Sequence, residues 1–231
     1  MTARRLVAAL LVLAGSAQAA RSAEIWEGFE GGDLIFQETT GPEADALGRA
    51  TGSRFTHVGI VRGTGGGPHV VQAAPHGVEE IPVDDFVARG VGGRYAVYRY
   101  EGLEEGDWYH PAVLGAYEYL AYPFDPFHRL DPSALYGAEL VYLGFKAAGV
   151  ELGGLRRIGD LDFDTPEGRA LLLSNWSEHP DCKARRLDRD ACWSLIRDQR
   201  IVTPAGLAED PRLELVYSNF GSDAPGRERL D

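Results

Sequence analysis

The stretch DPSALYGAELVYLGFKAAG, residues 131–149, decides the fold class. Asp131-Pro132-Ser133 reads as a helix start, an aspartate cap followed by proline in the first turn. Ala138, Val141, Tyr142, Phe145 and Ala148 then recur at the i, i+3, i+4, i+7 spacing of a buried helical face, and Gly149 ends the run. A helix this apolar has to be covered by another layer.

The covering layer is legible upstream. Gly32 to Phe36, Phe55 to Val61 and Tyr95 to Tyr100 read as short strands, and Val70–Ala73 with Val78–Pro82 as a hairpin around His76-Gly77. Pro42 to Thr51 and Asp84 to Arg89 read as short helices, and residues 107–122 as a further helix stopped by Pro123. Downstream, Pro166 to Leu173 is expected to be helical and Leu213 to Tyr217 a strand. No Pro- or Ser-rich linker breaks the chain, so one α+β domain is expected.

Composition limits what such a domain can do. Of 231 residues, 44% are hydrophobic and 25% charged, a globular balance that excludes a disordered or collagen-like chain. The 35 acidic residues outnumber 23 basic ones, for a net charge of −12. Nucleic acid and anionic membranes are disfavoured as partners, because phosphate contacts need clustered Lys and Arg. The 29 glycines are scattered without a period and read as turns.

Arg4 and Arg5 precede an apolar run, Leu6 to Ala14, and then Ala17-Gln18-Ala19. A basic start, a short apolar core and an A-x-A ending read as a secretory signal peptide over residues 1–19. The run is too short to span a bilayer, and Ser16 stands where a lipidated cysteine would follow Leu13-Ala14-Gly15. The expectation is an exported protein, periplasmic or secreted, with neither lipid anchor nor membrane span, and with residues 20–231 as its domain. In an oxidising compartment Cys182 and Cys192 are expected to pair. The segment between them is almost all charged, so a staple, rather than an apolar core, is expected to hold it. No Cys/His spacing suits zinc, and His69, His76, His110, His128 and His179 show no ligand pattern, so no metal or cofactor is expected.

Gly32-Asp33-Leu34-Ile35-Phe36-Gln37 and Phe55-Thr56-His57-Val58-Gly59-Ile60-Val61 resemble the permuted papain-like amidases of the YaeF/YiiX/YebB type, within the NlpC clan. The resemblance continues through Val71-Gln72-Ala73 and Gly77-Val78 to Tyr122-Pro123-Phe124-Asp125, and covers about residues 30–150. The C-terminal third matches only loosely. The resemblance implies a permuted papain-like fold, an antiparallel sheet or small barrel packed against helices. In that family a Gly-Asp-aliphatic strand opens the domain, and a histidine in a Ser/Thr-His-aliphatic-Gly strand is the general base. A cysteine nucleophile follows in a Tyr-Cys-Ser-Glu-Leu-Val motif at a helix start. By resemblance His57 is the base, Thr56 lies beside it, and Gln72 orients its ring where relatives often carry a carboxylate.

The motif departs from the family at the reacting atom. Tyr136-Gly137-Ala138-Glu139-Leu140-Val141 places Gly137 at the cysteine's position and Ala138 at the serine's. A thiol at a helix N-terminus becomes a thiolate readily, and a neighbouring imidazolium would hold it there. Glycine supplies no nucleophile. One reading is therefore a catalytically impaired, monomeric homologue with Tyr136, Ala138 and Thr56 lining a cleft. It would bind an amide-containing small molecule or peptide, either derived from peptidoglycan or an acyl-amide. A second reading is a hydrolase whose nucleophile is displaced to Ser133, Cys182 or Cys192. A third is a structural secreted domain, with His57 a hydrogen-bonded strand histidine, Gln72 a sheet-edge residue and Gly137 a packing glycine. Asp125 and Asp131 read as turn and cap residues.

Overall fold

Short apolar strands leave both faces of their sheet to be covered, and this chain covers both. The computed structural model describes residues 28–103 and 109–221; the expected signal peptide, residues 1–19, lies outside the described residues. In chain order the strands are β1 (Leu34–Gln37), β2 (His57–Arg62), β3 (His69–Ala74), β4 (Gly77–Pro82), β5 (Tyr95–Tyr100), β6 (Arg156–Arg157), β7 (Arg200–Ile201) and β8 (Leu213–Ser218). The helices are α1 (Pro42–Thr51), α2 (Val83–Ala88), α3 (Pro111–Tyr117), α4 (Gly137–Ala147), α5 (Pro166–Leu172), α6 (Pro180–Arg185), α7 (Arg189–Asp198) and α8 (Pro204–Ala208).

The main sheet has six strands in the order β4-β3-β2-β1-β5-β8, every neighbouring pair antiparallel. Of the two expected alternatives, an antiparallel sheet or a small barrel, the open sheet is what forms. β1 lies inside the sheet and all its residues are buried. Leu34 and Phe36 enter a large core shared with α3, α4 and the C-terminal helices, while Ile35 faces a smaller core closed by Phe86 of α2. This two-sided burial is why Leu34-Ile35-Phe36 is an unbroken apolar run rather than an alternating one.

α4 lies against β2 and α3, and two glycines set the closeness. A β-carbon on Gly115 of α3 would stand 2.7 Å from the Gly144 carbonyl oxygen, and one on Gly144 would stand 2.6 Å from the Ala112 carbonyl oxygen. Two helices this close tolerate no side chain at either position.

Two expected boundaries move. α4 starts at Gly137 with Tyr136 as its cap, not at Asp131. Leu135 donates to the Pro123 carbonyl (2.9 Å) and accepts from the Asp125 amide (3.1 Å), and this extended pairing outcompetes helix before Tyr136. Asp131-Pro132-Ser133 instead forms its own turn, closed by Asp131 accepting from the Ser133 amide at 3.1 Å. The helix expected over 107–122 is described only as α3, Pro111–Tyr117, capped by the His110 ring. Residues 104–108 lie outside the described residues. Beyond Tyr117 the chain turns, because Ala121 at φ 65° directs its amide to the Val78 carbonyl of β4 (2.9 Å) rather than along a helix.

The C-terminal third is built into the fold. β8 extends the main sheet beside β5, and α5 to α8 form a layer against α4 and α1. Cys182 of α6 and Cys192 of α7 form a disulfide with Cα atoms 5.4 Å apart. The charged appearance of this segment misleads in one respect: both cysteines, with Trp193 and Ile196, are buried in the large core, so packing and bond act together. Among the described residues no helix is long and apolar enough to cross a membrane.

Replacing both Cys182 and Cys192 by serine should lower unfolding stability by about 2–3 kcal/mol in urea denaturation, the chain-entropy value for a loop of this size. Two alkylatable thiols in the untreated wild-type protein would contradict the bond.

Candidate active site

The turn that delays α4 also aims it. Its first residue, Gly137, meets the first residue of β2, His57. A β-carbon built on Gly137 would lie 3.1 Å from His57 Nδ1, 3.2 Å from Cε1 and 3.3 Å from the Val58 carbonyl oxygen. The contact is closer than ordinary van der Waals packing. The imidazole therefore already leans into the space a side chain at 137 would use.

The other face of the ring is fixed by a chain of polar groups. His57 Nε2 is 2.6 Å from Gln72 Oε1 on β3. Gln72 Nε2 donates to Glu79 Oε1 at 2.9 Å, and Arg89 Nη1 donates to the same oxygen at 2.6 Å. A carboxylate accepts only, so Glu79 turns the Gln72 amide with its NH2 outward and its carbonyl toward His57. His57 Nε2 must then carry the proton, and the lone pair of Nδ1 faces position 137. Burial lowers the His57 pKa, with the Gln72 bond opposing it and Arg89 adding to it, so the ring is neutral at neutral pH. Phe86 stacks on it with centroids 5.5 Å apart.

The expected site residues converge. His57, Gln72, Gly137, Tyr136, Ala138 and Thr56 line one cavity of about 470 Å³. The Thr56 hydroxyl oxygen accepts from the Thr39 amide at 2.8 Å, and the Tyr136 hydroxyl oxygen accepts from the Val202 amide at 3.0 Å. The displaced-nucleophile candidates do not converge. Ser133 is exposed and does not line the cavity, and Cys182 and Cys192 are bonded to each other.

Glu79, Arg89 and Glu43 went unnoticed in the sequence, and His128 shows no ligand pattern there although it meets Glu43 in the fold. His128 Nε2 and Glu43 Oε1 are 2.9 Å apart, and this hydrogen bond holds the Glu43 pKa below its usual value despite burial. His128 sits at φ 50°, a left-handed backbone that costs a non-glycine residue about 1 kcal/mol or more. Gln199 holds it there by donating to the Phe127 and His128 carbonyls at 2.8 and 2.6 Å. Asp125 completes the turn by accepting from the Phe127 and Arg129 amides, at 2.9 and 2.8 Å. Gln37, opposite His57 in the sheet and buried, has no hydrogen-bond partner for either amide atom among the described residues. Among the described residues no group of three or more His, Cys, Asp or Glu side chains could hold a metal ion.

Glu139 is the most perturbed carboxyl here. It occupies the third position of α4 and is buried, with no hydrogen-bond partner for its Oε2 among the described residues. Burial, with Asp125 and Asp131 nearby, raises its pKa to about 8 against the weaker opposing effects of the Tyr136 amide and Arg129.

A family model described as "Permuted papain-like amidase enzyme, YaeF/YiiX, C92 family" matches residues 29–217. The uncharacterised protein YiiX of Escherichia coli K12 is 24% identical over 190 residues, covering 82% of this chain and 86% of that protein. The crystal structure of YiiX from Escherichia coli O157:H7, described as a metalloprotein, superposes with a TM-score of 0.68. It is 22% identical and covers 82% of this chain and 97% of its own. At that identity the likeness is one of fold.

Two measurements check these assignments. Nitrogen NMR of the imidazole should show His57 protonated at Nε2. Gln72→Leu should lower its titration midpoint further, since the lost bond favours the charged ring, and Glu79→Leu should mix the tautomers. Separately, a carboxyl whose folded pKa lies above its unfolded one stabilises the fold when protonated, and that contribution is lost as pH rises from about 4.5 to about 8. Glu139→Gln, which keeps the side chain's shape without its charge, should flatten that decline in thermal melts, gaining on wild type by a few kcal/mol, roughly, at pH 9.

Proposed function

Because the chain belongs to the permuted papain-like amidase family of the YaeF/YiiX type, we propose that it is an exported, catalytically impaired member that binds an amide-containing ligand beside His57. One observation carries the reading. A side chain at 137 would begin 3.1 Å from the lone-pair nitrogen of an oriented, neutral imidazole, and glycine places nothing there.

The chemistry follows from what remains. Amide hydrolysis of the family type needs a thiolate to attack the carbonyl carbon and an imidazole to carry the proton to the departing amine. Without the thiol, His57 Nδ1 is an acceptor for a ligand N–H. The first amides of α4, for which no side chain supplies a cap hydrogen bond, are donors for a ligand carbonyl. The residues that would orient a catalytic base thus orient a recognition group. Export is supported by the Arg4-to-Ala19 pattern and by the Cys182–Cys192 bond, which suits an oxidising compartment. The hydrolase with a displaced nucleophile gains no support, since its cysteines are bonded and Ser133 lies off the cavity.

Wild-type protein should show no amide hydrolysis above background, since loss of a nucleophile costs on the order of 10⁶ in turnover. Gly137→Cys should acquire a thiol whose alkylation-rate profile titrates below the ordinary value of about 8.5. Adding His57→Ala should return it to that value. The ring must withdraw a few tenths of an ångström, so Gly137→Ala serves as the control for folding. Enzyme-like turnover by wild type, or a thiol indifferent to His57, would overturn the proposal.

A further inference from the structure

Glu139 stands two residues beyond Gly137 on α4, about 200° round the helix, and does not line the cavity. It is 1% exposed, and its Oε2 has no hydrogen-bond partner among the described residues. The charges it feels belong to the turn that leads into α4: Asp125, itself 1% exposed, Asp131 and Arg129. Arg129 is the one cation of that set, and it is shared. Its Nη1 lies 3.1 Å from Asp131 Oδ2 and its Nε 3.6 Å from Asp125 Oδ2, the second too long for a hydrogen bond. The phenols of Tyr119 and Tyr136 also feel Glu139, and the Tyr136 hydroxyl is taken by the Val202 amide. Of the other elements against α4, α3 and α8 carry no charged residue. The titratable groups of β2 and β3 are engaged elsewhere, His57 by Gln72, Arg62 by Glu80 and His69 by the Gly67 carbonyl.

We propose that Glu139 and Asp125 form a proton-gated latch: while Glu139 holds its proton the turn from Asp125 to Asp131 seats on the front of α4, and loss of that proton expels the turn. A carboxylate at Glu139 would be the third acid around one guanidinium, in a buried setting where like charges repel strongly. α4 cannot yield, because its contact with α3 through Gly115 and Gly144 leaves no slack. The turn can. It stores strain at His128, with φ 50°, and is held by the two amides that Asp125 accepts and the two carbonyls that Gln199 binds. Repulsion and strain act in the same direction. Phe124, Pro126, Phe127 and His128 line the cavity, so the latch controls one of its walls from a residue outside it. The latch needs no particular ligand at His57 and stands or falls apart from the functional reading.

Proton linkage gives the direction. The seated turn raises the Glu139 pKa to about 8, and an expelled turn would return it toward the ordinary value of 4.5. The seated form therefore binds the proton more tightly. Each pH unit above about 8 should raise the ratio of expelled to seated turn about tenfold, and below neutrality the ratio should be level.

Amide hydrogen exchange of the full chain by NMR, corrected for the intrinsic base-catalysed rate, tests this between about pH 6 and about pH 9.5. Carbon NMR of the side-chain carboxyls is read alongside. The Phe127 and Arg129 amides should lose protection about tenfold per pH unit above about 8, while those of β1 and β2 keep theirs. In Glu139→Gln the protection of both amides should stay level across the range. In Asp125→Asn the Glu139 carboxyl should titrate at lower pH, because a charge that pushes it up is gone. A wild-type Glu139 titrating near 4.5 would overturn the proposal, as would one titrating near 8 with both amides still protected. So would a Glu139→Gln chain that loses their protection at the same pH as wild type. The first two results are read on the wild-type protein, so they decide the matter even if a variant fails to fold.

Discussion

Everything at the centre of this molecule depends on the direction of one hydrogen bond, from His57 Nε2–H to Gln72 Oε1. If that bond ran the other way, the Nδ1 proton would point at Gly137 and the ring would be a donor there. The direction is not a property of histidine or glutamine, each of which can serve either way. It is imposed by Glu79, which can only accept, and Glu79 is held in turn by Arg89. A surface ion pair worth little to stability thus determines the proton position of a buried ring. The pair can do so because Gln72 and Glu79 face each other across a hairpin and share its rigidity.

A second constraint is the closing layer. The Val202 amide binds the Tyr136 hydroxyl, and Gln199 pins the carbonyls of Phe127 and His128. Both contacts reach from the C-terminal segment to the two loops that frame the front of α4. Without them the left-handed turn at His128 would lack the bonds that offset its strain. The disulfide between α6 and α7 keeps that layer assembled on the large core. The cavity therefore lies between two parts of the chain far apart in sequence, and neither part makes it alone.

This division explains what could be read in advance. Short apolar runs bounded by turn residues marked the sheet strands, and the hairpin around His76-Gly77 set Val70–Ala73 against Val78–Pro82. The strand and helix motifs placed His57, Gln72 and Gly137 together. The start of α4 was misread because a good local cap at Asp131 competes with a bridge between Phe124 and Leu135, and that bridge is a tertiary fact. The meeting of Glu43 with His128 was illegible for the same reason. Glu43 meets His128 across 85 residues, and nothing near either residue announces the meeting. A loop histidine with positive φ has no sequence signature comparable to glycine's.

Glycine at position 137 also sets the room left to the ring beside it. A β-carbon there would crowd the ring at 3.1 Å, so a residue with a side chain would push the imidazole back along its bond to Gln72. Glycine lets that bond hold the ring forward. The buried ring is also expensive to maintain, since desolvation opposes its protonated form and the fold loses stability wherever an unfolded histidine would be charged and this one is not. A chain that had merely lost its chemistry could relieve this by replacing His57 with an apolar residue stacked on Phe86. Instead the imidazole, its orienting amide and the carboxylate behind it are assembled on the wall of the cavity. They leave one neutral acceptor, His57 Nδ1, facing the first residue of α4.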